Sequence, residues 1–319
     1  MKTIMLKNSL MTITLSLFTC LLIFNSCKKD NASSGAPTAI KVTDSPIDDA
    51  SVSGAFVTIA DIKLDGQSVQ GFSKTTIDIL AYQNGLTKTI GNFNLEGRTY
   101  NMVTFVLDFD TDASGNTPGC YVLSTGSVKH KLQSTSNIIT ISKNLTLQGG
   151  ISNSIVADFD LRKMIVYQSG GAGDQYDFAT AAELATSVRV MTEKNAGTIS
   201  GTVTGTFSGA GKVVAYAYKK GTFNRATEML GQGTSNIQFK NAVSSSLVSS
   251  GTGNYQLHFL ENGDYEIHFA SYSDINSDGK FILTGTVVVT GTAGIDLLNL
   301  NLNANTTLTA NVIASGILP

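Results

Sequence analysis

The 319-residue sequence contains no tryptophan, three cysteines and only 14% charged residues. Each shortage removes a class of function. Without tryptophan there is no Trp-lined platform for sugar rings, although ten tyrosines keep stacking available. A formal charge of -2 supplies neither a basic field for nucleic acid nor a polyacidic tail. No G-x-S-x-G, H-E-x-x-H, paired C-x-x-C, P-loop or dinucleotide fingerprint occurs. Glycine, with 31 residues, is abundant alongside serine, threonine and asparagine, a mix that suits neutral, turn-rich β domains facing the outside of a cell.

The N-terminus carries an address. Lys2 and Lys7 precede an almost wholly apolar run from Thr12 to Phe24, and Ser26 precedes Cys27. That order reads as a secretory signal, too short and wrongly flanked for a membrane-spanning helix. The cysteine makes it resemble the lipobox of bacterial lipoproteins, in which the thiol is acylated and the preceding peptide removed. Phe24 and Asn25 depart from the Leu and small residues usual there. The resemblance implies a signal over 1–26, a lipid on Cys27 and attachment to the membrane through it. Lys28 follows the cysteine where Asp would be associated with inner-membrane retention, which favours the outer membrane. Residues 27–38 read as a flexible tether. With Cys20 lost in the signal and Cys27 acylated, Cys120 stands alone, so no intrachain disulfide forms and stability rests on the cores.

About 290 residues remain from Cys27, enough for two domains. Period-2 alternation dominates them. Ala39–Val42, Gly54–Leu64, Thr76–Leu80, Tyr100–Phe109, Ser136–Leu147 and Ser154–Asp160 read as strands, with a turn at Asp65-Gly66 and a short helical piece near Thr180–Leu184. A second series begins near Gly197, with strands over Thr198–Val203, Lys212–Tyr218, Gly253–Phe259, Gly263–Ser271 and Lys280–Thr290. One or two closing strands fall within Ile295–Ile313. The expected fold is all-β: two tandem transthyretin- or immunoglobulin-like β-sandwich domains, over 39–194 and 195–319.

Five ordered motifs give the first domain a family likeness. Thr43-Asp44-Ser45-Pro46-Ile47-Asp48 opens it, followed by the strand Ala55–Leu64, the element Thr76–Gly85, the strand Gly97–Asp108 and the ending Asp158-Phe159-Asp160-Leu161-Arg162-Lys163-Met164-Ile165. Together they resemble the domain-of-unknown-function family 4382 of bacterial lipoproteins, with Ser45 and Met164 departing from its pattern. The resemblance implies a transthyretin-like sandwich and no assigned activity. Gly197–Val203, Gly253–Leu257 and Gly263–Ile267 make the second domain similar to carboxypeptidase regulatory-like domains, which accompany surface and glycan-handling proteins without chemistry of their own.

The sharpest candidate site is Asp274, Asn276 and Asp278 with Gly279 and Lys280. Oxygen ligands at positions 1, 3 and 5, Gly at 6 and a main-chain carbonyl at 7 match the start of a calcium loop. Gly285 occupies position 12, where a bidentate acid is needed, so a plain hairpin turn competes with Ca²⁺. Asp108 and Asp110 alternate with Phe109 on one strand face, with Asp112 just beyond, as a solvated strand end or a cation site. Asp158, Asp160 and Arg162 read as structural, Arg162 pairing with Asp160 if the strand continues. His258 and His268 fall on adjacent strands as potential cross-strand neighbours. Cys120 reads as a small buried hydrophobe. The sequence therefore points to a lipid-anchored, non-catalytic surface protein serving adhesion, ligand capture or envelope assembly. The alternative is a glycan-binding accessory lipoprotein stacking sugars on Tyr100, Tyr121, Tyr167, Tyr216 or Tyr218, with a hydrolase ranking behind both.

Overall fold

Alternation becomes strand throughout the computed structural model, which describes residues 34–45, 52–124, 126–168, 175–205, 211–275 and 281–319. In chain order the first half supplies β1 (Gly35–Ser45), β2 (Val52–Leu64), β3 (Gln67–Ser68), β4 (Thr75–Asp78), β5 (Lys88–Glu96), β6 (Thr99–Leu107) and β7 (Tyr121–Ser124). It continues with β8 (Lys129–Lys131), β9 (Ile138–Thr146), β10 (Asn153–Asp160), β11 (Ile165–Gln168), β12 (Gln175–Phe178) and β13 (Val188–Thr192). The second half supplies β14 (Ala196–Gly205), β15 (Lys212–Lys219), β16 (Ser244–Leu247), β17 (Asn254–Glu261) and β18 (Gly263–Ser273). It ends with β19 (Ile282–Gly291), β20 (Leu300–Leu302), β21 (Thr307–Thr309) and β22 (Val312–Leu318). The helices α1 (Leu161–Met164), α2 (Ala181–Ser187) and α3 (Arg225–Leu230) are one or two turns long. Among the described residues no helix is long and apolar enough to cross a membrane.

In the first unit a four-stranded sheet, β13-β10-β1-β5, faces a sheet built on β8-β7-β2-β6-β9. Residues of both inner faces interleave, Ile40 and Phe159 from one sheet with Val57, Ile59 and Phe105 from the other. Phe105 and Phe159 meet edge to face at 5.3 Å. β1 and β10 run parallel, so Thr43, Asp44 and Ser45 lie beside Asp158, Phe159 and Asp160. The opening and ending motifs of the family likeness are thus neighbours in space. The Asp65-Gly66 turn is present, both residues at positive φ as a tight hairpin between β2 and β3 requires.

The second unit is one nine-stranded sheet that wraps around a core of Tyr255, Leu257, Ile267, Phe269, Leu300 and Leu302. Its end strands meet, with Ser249 N donating to Asn254 O at 2.8 Å and Gln256 N to Ser246 Oγ at 3.1 Å. A smaller cluster on the outside of β15 and β18 packs Tyr216, Tyr218 and Tyr272 under Phe239 and Ala242. Gly35–Pro319 forms one compact unit of chain, with Val156, Met191 and Ala196 packing against Phe259 where the halves join. The all-β architecture of successive sandwich-type cores agrees with the sequence reading. One detail differs: β1 begins at Gly35 and pairs with β5, so Gly35–Thr38 belongs to a sheet rather than to a tether.

Candidate functional site

The acidic run at 108–112 is closed on itself. β6 ends at Leu107, so Asp108 and Asp110 do not share a strand face as the alternation suggested. Asp108 instead caps a turn, accepting from Asp110 N at 2.9 Å and Thr111 N at 3.0 Å, while Lys74 Nζ reaches it at 2.7 Å. Partial burial opposes its charge, but Lys74 and the turn amides hold the carboxyl well below the usual range. Asp112 accepts from Asn116 N and Ser114 N, which lowers its pKa too, and Asp110 pairs with Lys131 at 2.8 Å. Amides and lysines do here what a cation would otherwise do.

The other marked side chains are equally engaged. Cys120 is fully buried, its sulfur accepting from Thr58 N at 3.3 Å. Burial pushes the thiol up to about 12, far from a nucleophile's range. His258 and His268 are not cross-strand neighbours, because β17 pairs with β14 while β18 pairs with β15, β19 and β20. His268 stacks on Phe223 at 3.7 Å and lies 3.4 Å from Glu266, and burial lowers its pKa. Tyr100, Tyr121, Tyr216 and Tyr218 are buried, and of the five tyrosines considered for stacking only Tyr167 is exposed. That removes the aromatic row on which sugar stacking was to rest. Of the calcium loop, Asp274 alone falls within the described residues; Asn276, Asp278 and Lys280 lie outside them, as does Cys27. Among the described residues no three His, Cys, Asp or Glu side chains are grouped to hold a metal ion.

What the structure does bring together is an ionic cluster between the two β-units. β10 stops at Asp160 and the chain turns into α1, so the strand does not continue to Arg162. The pair nevertheless forms, Arg162 Nη2 lying 3.0 Å from Asp160 Oδ2, and Lys163 Nζ reaches the same oxygen at 3.2 Å. All three side chains are below 10% exposed. Burial alone would raise the Asp160 pKa, but Arg162 and Lys163 bring it below the ordinary value. Two residues back, Asp158 pairs with Arg189 of β13. Asp44 completes the group, accepting from Leu161 N at 3.3 Å. Burial, then the nearby Asp158 carboxylate, pushes its pKa well up.

From this cluster the cations reach into the second unit. Arg162 Nη1 donates to Gln238 O at 2.5 Å and to Phe239 O at 3.2 Å, Lys163 Nζ to Ala242 O at 2.5 Å, and Arg189 Nη1 to Phe259 O at 3.0 Å. Beside them Glu183 of α2 accepts from Thr180 N in the manner of a capping box and from Ser235 Oγ across the boundary at 2.5 Å. Sequence reasoning found Asp158, Asp160 and Arg162 but missed Lys163, Arg189 and Glu183. The T-x-x-E spacing of Thr180 and Glu183 was the one readable sign. Close by, a cleft of about 650 Å³ is lined by Asp110, Lys131 and Asn137, and another of about 410 Å³ by Asp177 and Ser235. They share the residues Gln133-Ser134-Thr135; the larger cleft is polar, and the smaller is mainly apolar, with Val166, Phe178 and Ala179 in its lining.

Comparison with known proteins agrees with the first half of this picture. Residues 36–179 match the family described as "Domain of unknown function (DUF4382)". No curated protein matches the chain. Among solved structures, a leucine-rich repeat protein from Bacteroides thetaiotaomicron is similar at 13% identity and a TM-score of 0.23, over 90% of this chain and 27% of its own. The minor pilin of Streptococcus agalactiae is similar at 10% identity and a TM-score of 0.21, over 88% of this chain and 97% of its own. The major pilin of Bacillus cereus gives 10%, 0.22, 88% and 70%. The chain thus spans about a quarter of the first of these proteins.

Proposed function

We propose that this protein is a non-catalytic surface module, anchored in the cell envelope by a lipid on Cys27 and displaying two joined β-units for adhesion, ligand capture or envelope assembly. The observation that carries this reading is how the reactive side chains are used. Cys120, Asp108, Asp112, Asp160 and Glu183 are all engaged in holding the fold, by burial, by turn amides or by partners within the cluster. A compact body of this kind suits display. The polar cleft along Gln133–Asn137 is the surface it offers a ligand, and the Asp274–Lys280 loop is where Ca²⁺ would act.

Two experiments test this. Metabolic labelling with a palmitate analogue should mark the wild type and not Cys27→Ser; unchanged labelling ends the lipoprotein reading. A glycan and matrix-protein array with the soluble chain Lys28–Pro319, run with and without Ca²⁺, should return a ligand whose binding falls in Asp110→Ala or Gln133→Ala. An array without hits, together with a melting temperature unmoved by Ca²⁺, would remove both ligand capture and calcium.

A further inference from the structure

The boundary between the two β-units is asymmetric in its chemistry. The first unit presents charged side chains: Arg162 and Lys163 on Asp160, and Arg189 on Asp158. The second unit answers these three cations with main-chain oxygens, those of Gln238, Phe239, Ala242 and Phe259, and supplies side chains only beside them, Ser235 and Lys240 to Glu183 and Glu261 to Lys143. Two of these carbonyls have an unusual origin. Phe239 and Phe259 sit at φ +49° and +53°, a region that bulky side chains rarely adopt and that costs energy to hold. At Phe259 the cause is visible in the ladder. Gly197 pairs with Leu260 and Ile199 with Leu257, so two residues of β17 oppose one of β14, a bulge that takes the Phe259 carbonyl out of the sheet and toward Arg189. At Phe239 the left-handed residue lies in a loop whose ring is pinned flat on Tyr216 at 4.4 Å, and Arg162 lies over the same tyrosine at 5.3 Å. A third contact also turns on backbone shape. Gly85, at φ +79°, brings its main chain so close to the His258 ring that a Cβ there would stand 2.6 Å from it.

We infer that the Arg162, Lys163 and Arg189 arms at this end of the first unit are a docking face for turned-out main-chain carbonyls: these arms grip a neighbouring β-unit by its backbone geometry, while Glu183 with Ser235 and Lys143 with Glu261 add side-chain contacts beside them. Guanidinium and ammonium groups held in place by buried carboxylates are suited to this, since each offers several fixed donors and a neutral carbonyl needs no counter-charge. The partner it fits is a β-unit with a bulge and a loop that free carbonyls from their own ladder. The segment Asp158–Lys163 lies inside the 36–179 family match, and all four acceptor carbonyls lie outside it. Docking and the left-handed phenylalanines go together, so releasing the arms lets residues 238–242 and 258–260 relax.

The test uses the chain Lys28–Pro319 and reads amide hydrogen exchange and limited proteolysis. Asp158→Asn combined with Arg189→Gln removes the arm as a pair, one charge of each sign, and leaves the net charge of the cluster as it was. The expected result is faster exchange at 258–260, and faster cleavage at the 193–196 connection, each by about tenfold or more, since one charge-assisted hydrogen bond is worth at least such a factor. Exchange within β2 and β6 should stay as in the wild type. Gln238→Ala, which keeps the carbonyl and deletes the side chain, should change none of these readouts. The inference is overturned if the paired variant keeps wild-type exchange at 258–260, or if Gln238→Ala loosens the boundary as much as the arginine variant. Loss of protection throughout β2 and β6 would overturn it as well, because the arm would then serve the first core and not the docking.

Discussion

Asp44 and Glu183 are both buried acids near the same boundary, and they respond to pH in opposite directions. Burial and the neighbouring Asp158 carboxylate raise the folded pKa of Asp44 above its unfolded value. Between those two values the folded state binds more protons than the unfolded, so this group's contribution falls as pH rises through the window. Asp44→Asn keeps an oxygen to accept from Leu161 N and removes that loss. It should raise stability at pH 7, and the gain should vanish near pH 3, where the carboxyl is protonated in both states. Glu183 is the reverse case. Burial works against its charge, but hydrogen bonds from Ser235 and Thr180 lower its pKa to about 2. Its contribution is complete above the unfolded value, about 4.3 to 4.5, and is lost as pH falls from there toward 2. Glu183→Gln should therefore cost roughly 1–3 kcal/mol at pH 7 and close to nothing at pH 2. Urea denaturation at the two pH values checks both substitutions, and a loss for Asp44→Asn at pH 7 would contradict the assigned direction. Cys120 gives a simpler expectation. With its thiol buried and pushed up to about 12, it should react with a thiol reagent only as fast as the protein unfolds.

Among the elements, the Asn84-Gly85 turn is exacting, because both residues are at positive φ and Gly85 abuts His258. Gly85→Ala should cost roughly 1–3 kcal/mol from backbone strain, and more from the collision with the ring. Gly66→Ala supplies the comparison, since its φ of +81° is alike and nothing lies within 4 Å of its added Cβ. His258→Ala should rescue part of the Gly85→Ala loss and none of the Gly66→Ala loss, which a double-mutant cycle by thermal melting would measure. Elements with clean alternation were legible in the sequence: β2, β6, β9, β10, β15 and β18 fall within a few residues of expectation. Those that were missed hide for physical reasons. In β16 the buried positions are serines, Ser244, Ser245 and Ser246, so the apolar signal is missing. In β5 glycine and two asparagines break the pattern, although the strand pairs along most of β1. β13 has only five residues, and β11 and β12 only four each. The ionic cluster was half legible. Asp158, Asp160 and Arg162 could be placed together from their spacing, but the cations of the cluster, Arg162, Lys163 and Arg189, donate to carbonyls of Gln238, Phe239, Ala242 and Phe259, and a main-chain oxygen leaves no mark in a sequence.

At the scale of the whole chain, the two cores have no covalent tie between them beyond the connection through Glu193–Asn195, and Cys120 is a free thiol. Their union rests on apolar contact, on an ion pair across the boundary, and on the Asp160 cluster, whose cations donate to carbonyls of the second unit. Lys143–Glu261 crosses the boundary at 2.6 Å, but both side chains are about a third exposed. Water and salt screen such a pair, and its worth is about 0–1 kcal/mol. The Asp160 cluster is buried, so its charges were desolvated on folding, and the removal of one member leaves the others unmatched. The two sites should therefore respond very differently to a single deletion. Lys143→Met should lower stability by less than about 1 kcal/mol, and raising the salt concentration should shrink even that. Asp160→Ala should cost about 3–5 kcal/mol at any salt concentration, because Arg162 and Lys163 keep their charges below the surface with no carboxylate between them. Chemical denaturation of the chain Lys28–Pro319 at low and high salt compares them directly. If the two substitutions proved equal in effect, the boundary would be held by its apolar contacts, Val156, Met191, Ala196 and Phe259, and the buried charges would serve only to fix its register. A large gap between them would place the stability of the two-unit body in the Asp160 cluster, where the first unit's charges close on the second unit's backbone.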